Sequence, residues 1–173
     1  LGEKHRVELT RTADIELSPA DRAAVSNQMK ADLMVSLHAA VNPYCNERTA
    51  AVYYHSAERL AMPSATLLQG TLDQSETNRT EWNRLQDRHQ QQSQAVAAAV
   101  KRSCEDSRIF EEVMIGNAPL VTLMAVDRPA VLLEVGCIHP SVPLRPQTAE
   151  QQTSEYAESI ATAIETAIDE LGP

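Results

Sequence analysis

The sequence predicts an α/β fold with a mostly parallel sheet that helices cover on both faces. Short runs of strand-forming residues alternate along the chain with longer segments of helical periodicity. Only 3% of the residues are aromatic, so the core is expected to consist of Leu, Val, Ile, Met and Ala, which suits helices packed on a sheet. The chain has 173 residues, the usual size of one domain.

Five segments are predicted to be strands. Residues 7–10 alternate between apolar and polar side chains, and residues 33–37 form a short apolar run of the kind found in a buried strand. The remaining three are rich in β-forming residues, and a turn at Asp127-Arg128-Pro129 separates the last two. The predicted strands are 7–10, 33–37, 49–54, 120–124 and 130–135.

The predicted helices begin with a clear start signal. Ser18, Pro19 and Asp21 supply a capping oxygen, a proline suited to the first helical position and an acid for the first turn, which predicts a helix to about Lys30. A second helix is predicted over 57–69, and the last over 148–171. The last helix has apolar residues at helical spacing: Tyr156, Ile160, Ile164, Ile168 and Leu171.

A polar stretch in the middle of the chain has high helix propensity but few apolar residues. Its apolar stripe stays thin until Ala95, which predicts a long helix over about 76–102 that projects from the body. We expect residues 71–102 to be more mobile or more protruding than the body, with faster hydrogen exchange than residues 33–37.

Composition excludes several classes of partner. The 15 Lys and Arg residues against 24 Asp and Glu give a net charge of −9, which disfavours nucleic acid and anionic membrane surfaces. No apolar run approaches the roughly 20 residues of a membrane-spanning helix. The three cysteines have no metal-type spacing, and neither a Gly-rich phosphate loop nor a Gly-x-Ser-x-Gly elbow is present.

Two side chains at predicted strand ends could carry chemistry. His38 follows the apolar run 33–37, a position that suits a metal ligand or an acid/base, or else a hydrogen-bonded histidine at the edge of the sheet. Glu134 closes the run 129–134, where apolar neighbours partly enclose it, which suits a general base. It could instead pair with Arg11 or Arg128 to hold the sheet edge together. Strand ends of one sheet can meet, so His38 and Glu134 are expected to lie close together.

The order of short motifs along the chain resembles the zinc-dependent N-acetylmuramoyl-L-alanine amidases of the amidase-3 type. The similarity covers roughly residues 6–56 and 118–172, and the segment 71–117 between them has little family signal. The motifs are Leu9-Thr10-Arg11, Asp14, Arg22, Asn27, Ala31-Asp32-Leu33, Ser36-Leu37-His38-Ala39 and the run from Arg128 to Gly136.

The resemblance implies a single catalytic domain over residues 1–173 that cleaves the amide between N-acetylmuramic acid and the first L-alanine of the peptide stem. It also implies zinc as the cofactor, with His38 as a metal ligand and Glu134 as the catalytic carboxylate. The implied substrate is peptidoglycan or a muropeptide, which places the protein in the periplasm or outside the cell. The segment 71–117 is a candidate contact for a regulatory protein or for self-association.

The sequence departs from the family at its start. The family's other two zinc ligands lie in a strand and a helix that precede the Thr-Arg strand, whereas only eight residues precede Leu9 here. The chain is therefore expected to be N-terminally incomplete relative to the family. One explanation is a fragment, which is favoured because loss of a central strand would expose sheet edges. The other is a variant that has lost metal and keeps the fold as a zinc-free binding or regulatory module.

Overall fold

The computed structural model describes residues 4–40, 48–56, 84–137 and 146–172, and it describes the side chains of all of these except 40, 137 and 146–152. The helix predicted over 57–69 lies outside the described residues, as does the segment 71–83. Within the described part of the chain, none of the helices is long and apolar enough to cross a membrane.

The described part of the chain contains one four-stranded sheet with the strand order β1-β4-β2-β3. The strands are β1 (Met34–Ala40), β2 (Thr49–His55), β3 (Glu112–Ala118) and β4 (Ala130–Cys137). The helices are α1 (Pro19–Met29), α2 (Gln90–Ser107), α3 (Val121–Met124) and α4 (Pro146–Leu171), and a 3-10 helix over Leu85–His89 leads into α2.

The sheet is mixed but mostly parallel, which confirms the predicted fold class. β1 is parallel to β4 and β2 is parallel to β3, whereas β2 and β4 are antiparallel. The carboxyl ends of β1 and β4 therefore lie at the same edge of the sheet as the amino ends of β2 and β3. We call this the upper edge, and the opposite one, where His55 and Ala118 end their strands, the lower edge.

Helices cover both faces of the sheet, as predicted. On one face α2 and α4 bury Val52 and Leu133 against Val96, Val100 and Ala163. On the other face α1 and α3 pack on the sheet through a smaller cluster. The buried members of that cluster are Ala23, Met34, Leu123, Val126, Ala130 and Leu132.

The predicted start of α1 is confirmed in detail. The Ser18 hydroxyl accepts a hydrogen bond from the Asp21 backbone N–H, and the Asp21 carboxylate accepts one from the Ser18 N–H. This reciprocal capping box satisfies two amide donors that the first turn would otherwise leave without partners.

The strand predicted over residues 7–10 is wrong. The described residues place no strand beside this segment, and Val7 and Leu9 are 53% and 68% exposed. Alternating side chains favour a strand only where a partner accepts the backbone hydrogen bonds. This segment has no such partner among the described residues.

The strand predicted over residues 120–124 is also wrong, because α3 occupies it. The backbone N–H groups of Leu123 and Met124 both donate to the Leu120 carbonyl at 3.0 Å. Leu123 is fully buried, and a single helical turn is enough to bury this one side chain.

The sequence does not predict the strand β3. Only Val113 along it is buried, and Met114 and Ile115 remain largely exposed because β3 lies at the edge of the sheet.

The prediction of a projecting polar helix is wrong for the part that the structure describes. The middle of α2 lies against the sheet, with Val96, Ala97, Ala99 and Val100 almost fully buried. Alanines bring the helix backbone close to the sheet, so a thin apolar stripe is enough to hold it.

Candidate functional site

His38 and Glu134 lie side by side at the upper edge of the sheet. They occupy paired positions on the parallel strands β1 and β4, whose backbones are about 4.8 Å apart. Their side chains share the sheet face that α1 and α3 cover further down the strands. Two residues 96 positions apart in sequence are therefore neighbours, and their chemical roles stay predictions.

Ser36 holds the imidazole of His38 from below. The two residues are on the same face because side chains two apart on a strand point the same way. The Ser36 hydroxyl oxygen and His38 Nε2 share a hydrogen bond of 3.0 Å. Ser36 is only 5% exposed, whereas His38 is exposed, so a fixed, buried hydroxyl orients a ring that faces solvent. The Nδ1 atom of His38 is left for another partner.

Glu134 is half-buried between β1 and β2, where Ala51 is its neighbour on β2. The ion pairs suggested as an alternative do not form within the described residues. Arg11 lies 3.9 Å from Asp14, and Arg128 donates to the backbone carbonyl of Asp127 at 2.8 Å.

Tyr53 is a further member of this face that the sequence did not reveal. It lies on β2 beside Leu132, one pair below Glu134, and its ring covers Gly116 of β3. Burial raises the pKa of the Tyr53 phenol, and the negative charge of Glu134 raises it further. The phenol therefore stays protonated and can donate a hydrogen bond near the carboxylate.

The described residues do not complete a zinc site. A catalytic zinc site normally has three protein ligands. No group of three or more His, Cys, Asp or Glu side chains that could hold a metal occurs within the described ranges. The exposed imidazole of His38 fits the role of one ligand, and at least one further ligand would have to come from outside the described ranges.

Two other described histidines, His55 and His89, are placed away from this pair. His55 ends β2 at the lower edge and is 3% exposed, and burial lowers its pKa, against the opposing effects of Asp87 and of a backbone hydrogen bond with Leu120. His89 is 2.9 Å from Asp127, also near the lower edge. Both side chains therefore interact with residues near the lower edge, at the opposite end of the sheet from His38 and Glu134.

The fold and the pair of strand-end side chains define an α/β domain with an imidazole beside a carboxylate at one edge of a mixed sheet. The family model for N-acetylmuramoyl-L-alanine amidase, Amidase_3, matches residues 1–167. The chain belongs to this family. No curated protein matches the chain.

Several solved amidase structures share the fold. The amidase AmiC2 of Nostoc punctiforme is 18% identical with a TM-score of 0.61, and the match covers 94% of this chain and 72% of that one. An N-acetylmuramoyl-L-alanine amidase from Clostridium difficile 630 is 19% identical with a TM-score of 0.60, covering 96% and 75%. The CwlD amidase from Clostridioides difficile, solved in complex with the GerS lipoprotein, is 17% identical with a TM-score of 0.60, covering 98% and 77%.

Proposed function

We propose that the protein hydrolyses the amide bond between N-acetylmuramic acid and the first L-alanine of the peptide stem in peptidoglycan. The observation that carries this proposal is the register of β1 and β4, which pairs His38 with Glu134 in a member of an amidase family. The substrate places the activity in the periplasm or outside the cell. We take residues 1–173 as one catalytic domain, with 71–117 as the candidate contact for a regulatory partner or a second copy.

Glu134 is proposed as the general base. Its carboxylate takes a proton from the water that attacks the amide carbon and delivers a proton to the departing amine of L-alanine. The half-buried position of Glu134 and its freedom from the arginines Arg11 and Arg128 support this role, because a carboxylate locked in an ion pair would be a poorer base.

His38 is proposed as one ligand of a catalytic zinc ion. This role is supported by the hydrogen bond between the exposed His38 ring and the buried hydroxyl of Ser36. Histidines that bind a metal are commonly oriented by such a hydrogen bond from a neighbouring residue that does not itself touch the metal. Zinc, when bound, lowers the pKa of a coordinated water to about 7 and polarises a carbonyl group. The remaining ligands are assigned to no described residue.

The alternative is a zinc-free amidase-like module that binds peptidoglycan or regulates another protein. One observation favours it, namely that the described residues supply fewer than three ligands. In that case His38 and Glu134 would line a binding surface without turning over the substrate.

The test measures zinc content and muropeptide release on the longest version of the protein that can be expressed. We expect Glu134→Gln to lower the turnover number by roughly 10²–10⁴-fold with the zinc content unchanged, and His38→Ala to lower both zinc content and release. The exposed Glu112 on β3 provides the matched control, since Glu112→Gln should leave both unchanged. Absence of zinc and of release in the unaltered protein would remove the enzymatic proposal and leave the alternative.

A further inference from the structure

A groove with a volume of about 360 Å³ lies between the end of α2 and the middle of α4. Asp106 and Ile109, at and just after the end of α2, line one side of it. Glu158, Ser159 and Thr162 line the other, and they share one side of α4 because side chains three and four positions apart on a helix are neighbours. We call this the α2–α4 groove.

The groove carries negative charge that the neighbouring cations do not neutralise. The cations of α2 that precede it are paired with other carboxylates, in the pairs Lys101–Glu105 and Arg102–Glu170. Arg108 lies on the wall of a different cavity. Asp106 and Glu158 are exposed and form no ion pair within the described part of the chain. In a chain with a net charge of −9, these two carboxylates favour a cationic partner.

Ser159 supplies a third polar group to the groove. The residue is only 6% exposed, and its hydroxyl forms no hydrogen bond within the described residues. The Thr162 hydroxyl, by contrast, donates to the Glu158 carbonyl at 3.0 Å, a common arrangement for a hydroxyl inside a helix. A buried hydroxyl without a partner destabilises the folded protein, so a ligand that donates to Ser159 Oγ would remove that cost.

Three acceptors at one groove fit an ammonium group. An ammonium group donates three hydrogen bonds, which two carboxylates and one hydroxyl oxygen can accept. A guanidinium group presents a flat fork of donors, which fits a single carboxylate instead. The donor set is too small for a divalent metal, because the described ranges contain no group of three or more His, Cys, Asp or Glu side chains that could hold one. Ile109 adds apolar surface for the aliphatic stem of a lysine.

We propose that the α2–α4 groove is a docking site for a lysine side chain of a partner protein, with the ammonium group held by Asp106, Glu158 and the Ser159 hydroxyl. This inference rests on the part of the proposed function that assigns a regulatory contact to residues 71–117, and it narrows that contact to the end of α2. A second copy of the chain is a poorer occupant. Its own net charge of −9 repels it, and two of its three lysines, Lys4 and Lys101, are already paired with glutamates.

The experiment measures dissociation constants by NMR titration of the isotope-labelled protein with blocked pentapeptides. The probe is Ala-Ala-Lys-Ala-Ala with both termini blocked, so that the lysine carries its only charge. The matched probes replace the lysine with Nε-acetyl-lysine or with arginine. We expect the lysine peptide to bind at least about fivefold more tightly than the acetyl-lysine peptide, with the arginine peptide between them. The shifted amides should lie in residues 103–109 and 158–162.

Variants of the groove should remove this preference. Asp106→Asn should reduce it to less than about twofold, whereas Asp169→Asn, which removes a charge from an exposed position of α4 outside the groove, should keep it. Ser159→Ala should weaken the lysine peptide by about threefold or more without lowering the Tm of the free protein, because the deleted hydroxyl has no partner within the described residues. Equal binding of the lysine and acetyl-lysine peptides, an unchanged preference in Asp106→Asn, or a lower Tm in Ser159→Ala would overturn the docking site.

Light scattering tests the competing occupant. The unaltered protein and Asp106→Asn should have the same mass in solution. The exposed Lys30 forms no ion pair within the described residues, so it is the lysine that a second copy would offer. A larger mass that Asp106→Asn and Lys30→Gln both abolish would overturn the partner protein in favour of a second copy.

Failure of this inference can be told apart from failure of the proposed function, because muropeptide release is measured separately. A protein that releases muropeptides but binds the lysine and acetyl-lysine peptides equally would overturn the docking site alone. A protein that prefers the lysine peptide but releases nothing would overturn the hydrolytic proposal alone.

Discussion

Replacing Gly116 with alanine tests whether the position of Tyr53 depends on the space that this glycine leaves. A Cβ atom at position 116 would lie 3.0 Å from both Cδ1 and Cε1 of Tyr53. Ordinary contacts between such carbons are about 3.5–4.0 Å, so the ring would have to move by roughly half an ångström or more. It would move within the cluster under α1 and α3, next to Glu134.

The expected cost follows from two opposing terms. Forcing a packed ring aside by one added methyl group costs about 1–3 kcal/mol. Alanine also restricts the unfolded chain more than glycine does, which raises the free energy of unfolding by about 0.4–1 kcal/mol. The Gly116→Ala variant should therefore be destabilised by roughly 1 kcal/mol, which lowers Tm by about 2–4 °C in a protein of this size.

A double-mutant cycle with Tyr53→Ala isolates the contact. Without the ring, Gly116→Ala should be neutral or slightly stabilising, so the coupling free energy from urea denaturation should be about 1.5 kcal/mol. Muropeptide release should fall in Gly116→Ala as well, because the displaced ring borders Glu134. Additive effects within about 0.5 kcal/mol would refute the argument that Gly116 makes room for Tyr53.

Three further perturbations probe the rest of the structure. Burial lowers the pKa of His55 in the folded protein, against the opposing charge of Asp87. In the unfolded state His55 has its ordinary pKa of 6.5, so below pH 6.5 the unfolded state binds more protons than the folded state. The free energy of unfolding should therefore fall as the pH drops through 6.5. Urea titrations from about pH 8 to about pH 5 should show this fall, and His55→Gln should reduce it; an unchanged slope would speak against it. Burial also raises the pKa of the Cys104 thiol to about 11. Iodoacetamide should therefore label Cys104 far more slowly in the folded protein than in denaturant, as measured by mass spectrometry. Prompt labelling of the folded protein would contradict the burial of this thiol. The buried side chain of Gln86 donates to the backbone carbonyls of Val126 and Arg128 at 2.7 and 2.6 Å. Gln86→Leu should therefore lower the free energy of unfolding in urea by about 2–4 kcal/mol, whereas Gln92→Leu at an exposed position should change it little. Equal effects of the two variants would show that these hydrogen bonds do not stabilise the fold.

The parts of the fold that local physics dictates could be predicted from the sequence. The capping box at Ser18 is complete within four residues, and the apolar spacing of the last helix needs no partner to be recognised. The segments 112–118 and 120–124 could not be assigned in this way. The first is a strand because β2 supplies its hydrogen bonds, and the second is a helical turn because Leu123 fits under α1.

In the candidate site, too, only the residues with a local signal could be predicted from the sequence. His38 and Glu134 each end an apolar run, so their place at the end of a strand could be predicted, and only the register between β1 and β4 was left for the structure. Tyr53 lies on a strand that was predicted, yet its part in the site depends on Gly116 in a strand that was not. A residue whose role depends on a neighbouring strand carries no local signal.

The antiparallel contact between β2 and β4 determines what surrounds the His38–Glu134 pair. In an all-parallel sheet the amino end of β2 would lie at the lower edge, and Arg48 would be a strand length away from Glu134. The observed contact reverses β2 and β3, so Arg48 before β2, and the end of α2 with Arg108, lie at the upper edge. Because α4 also begins at this edge after β4, α2 and α4 meet beside the strand ends. Together with Arg48 they line a cavity of about 400 Å³ with charged walls, which include Arg108 and Glu155. One reversed strand contact thus places the charged cavity and the imidazole–carboxylate pair at the same edge of the sheet.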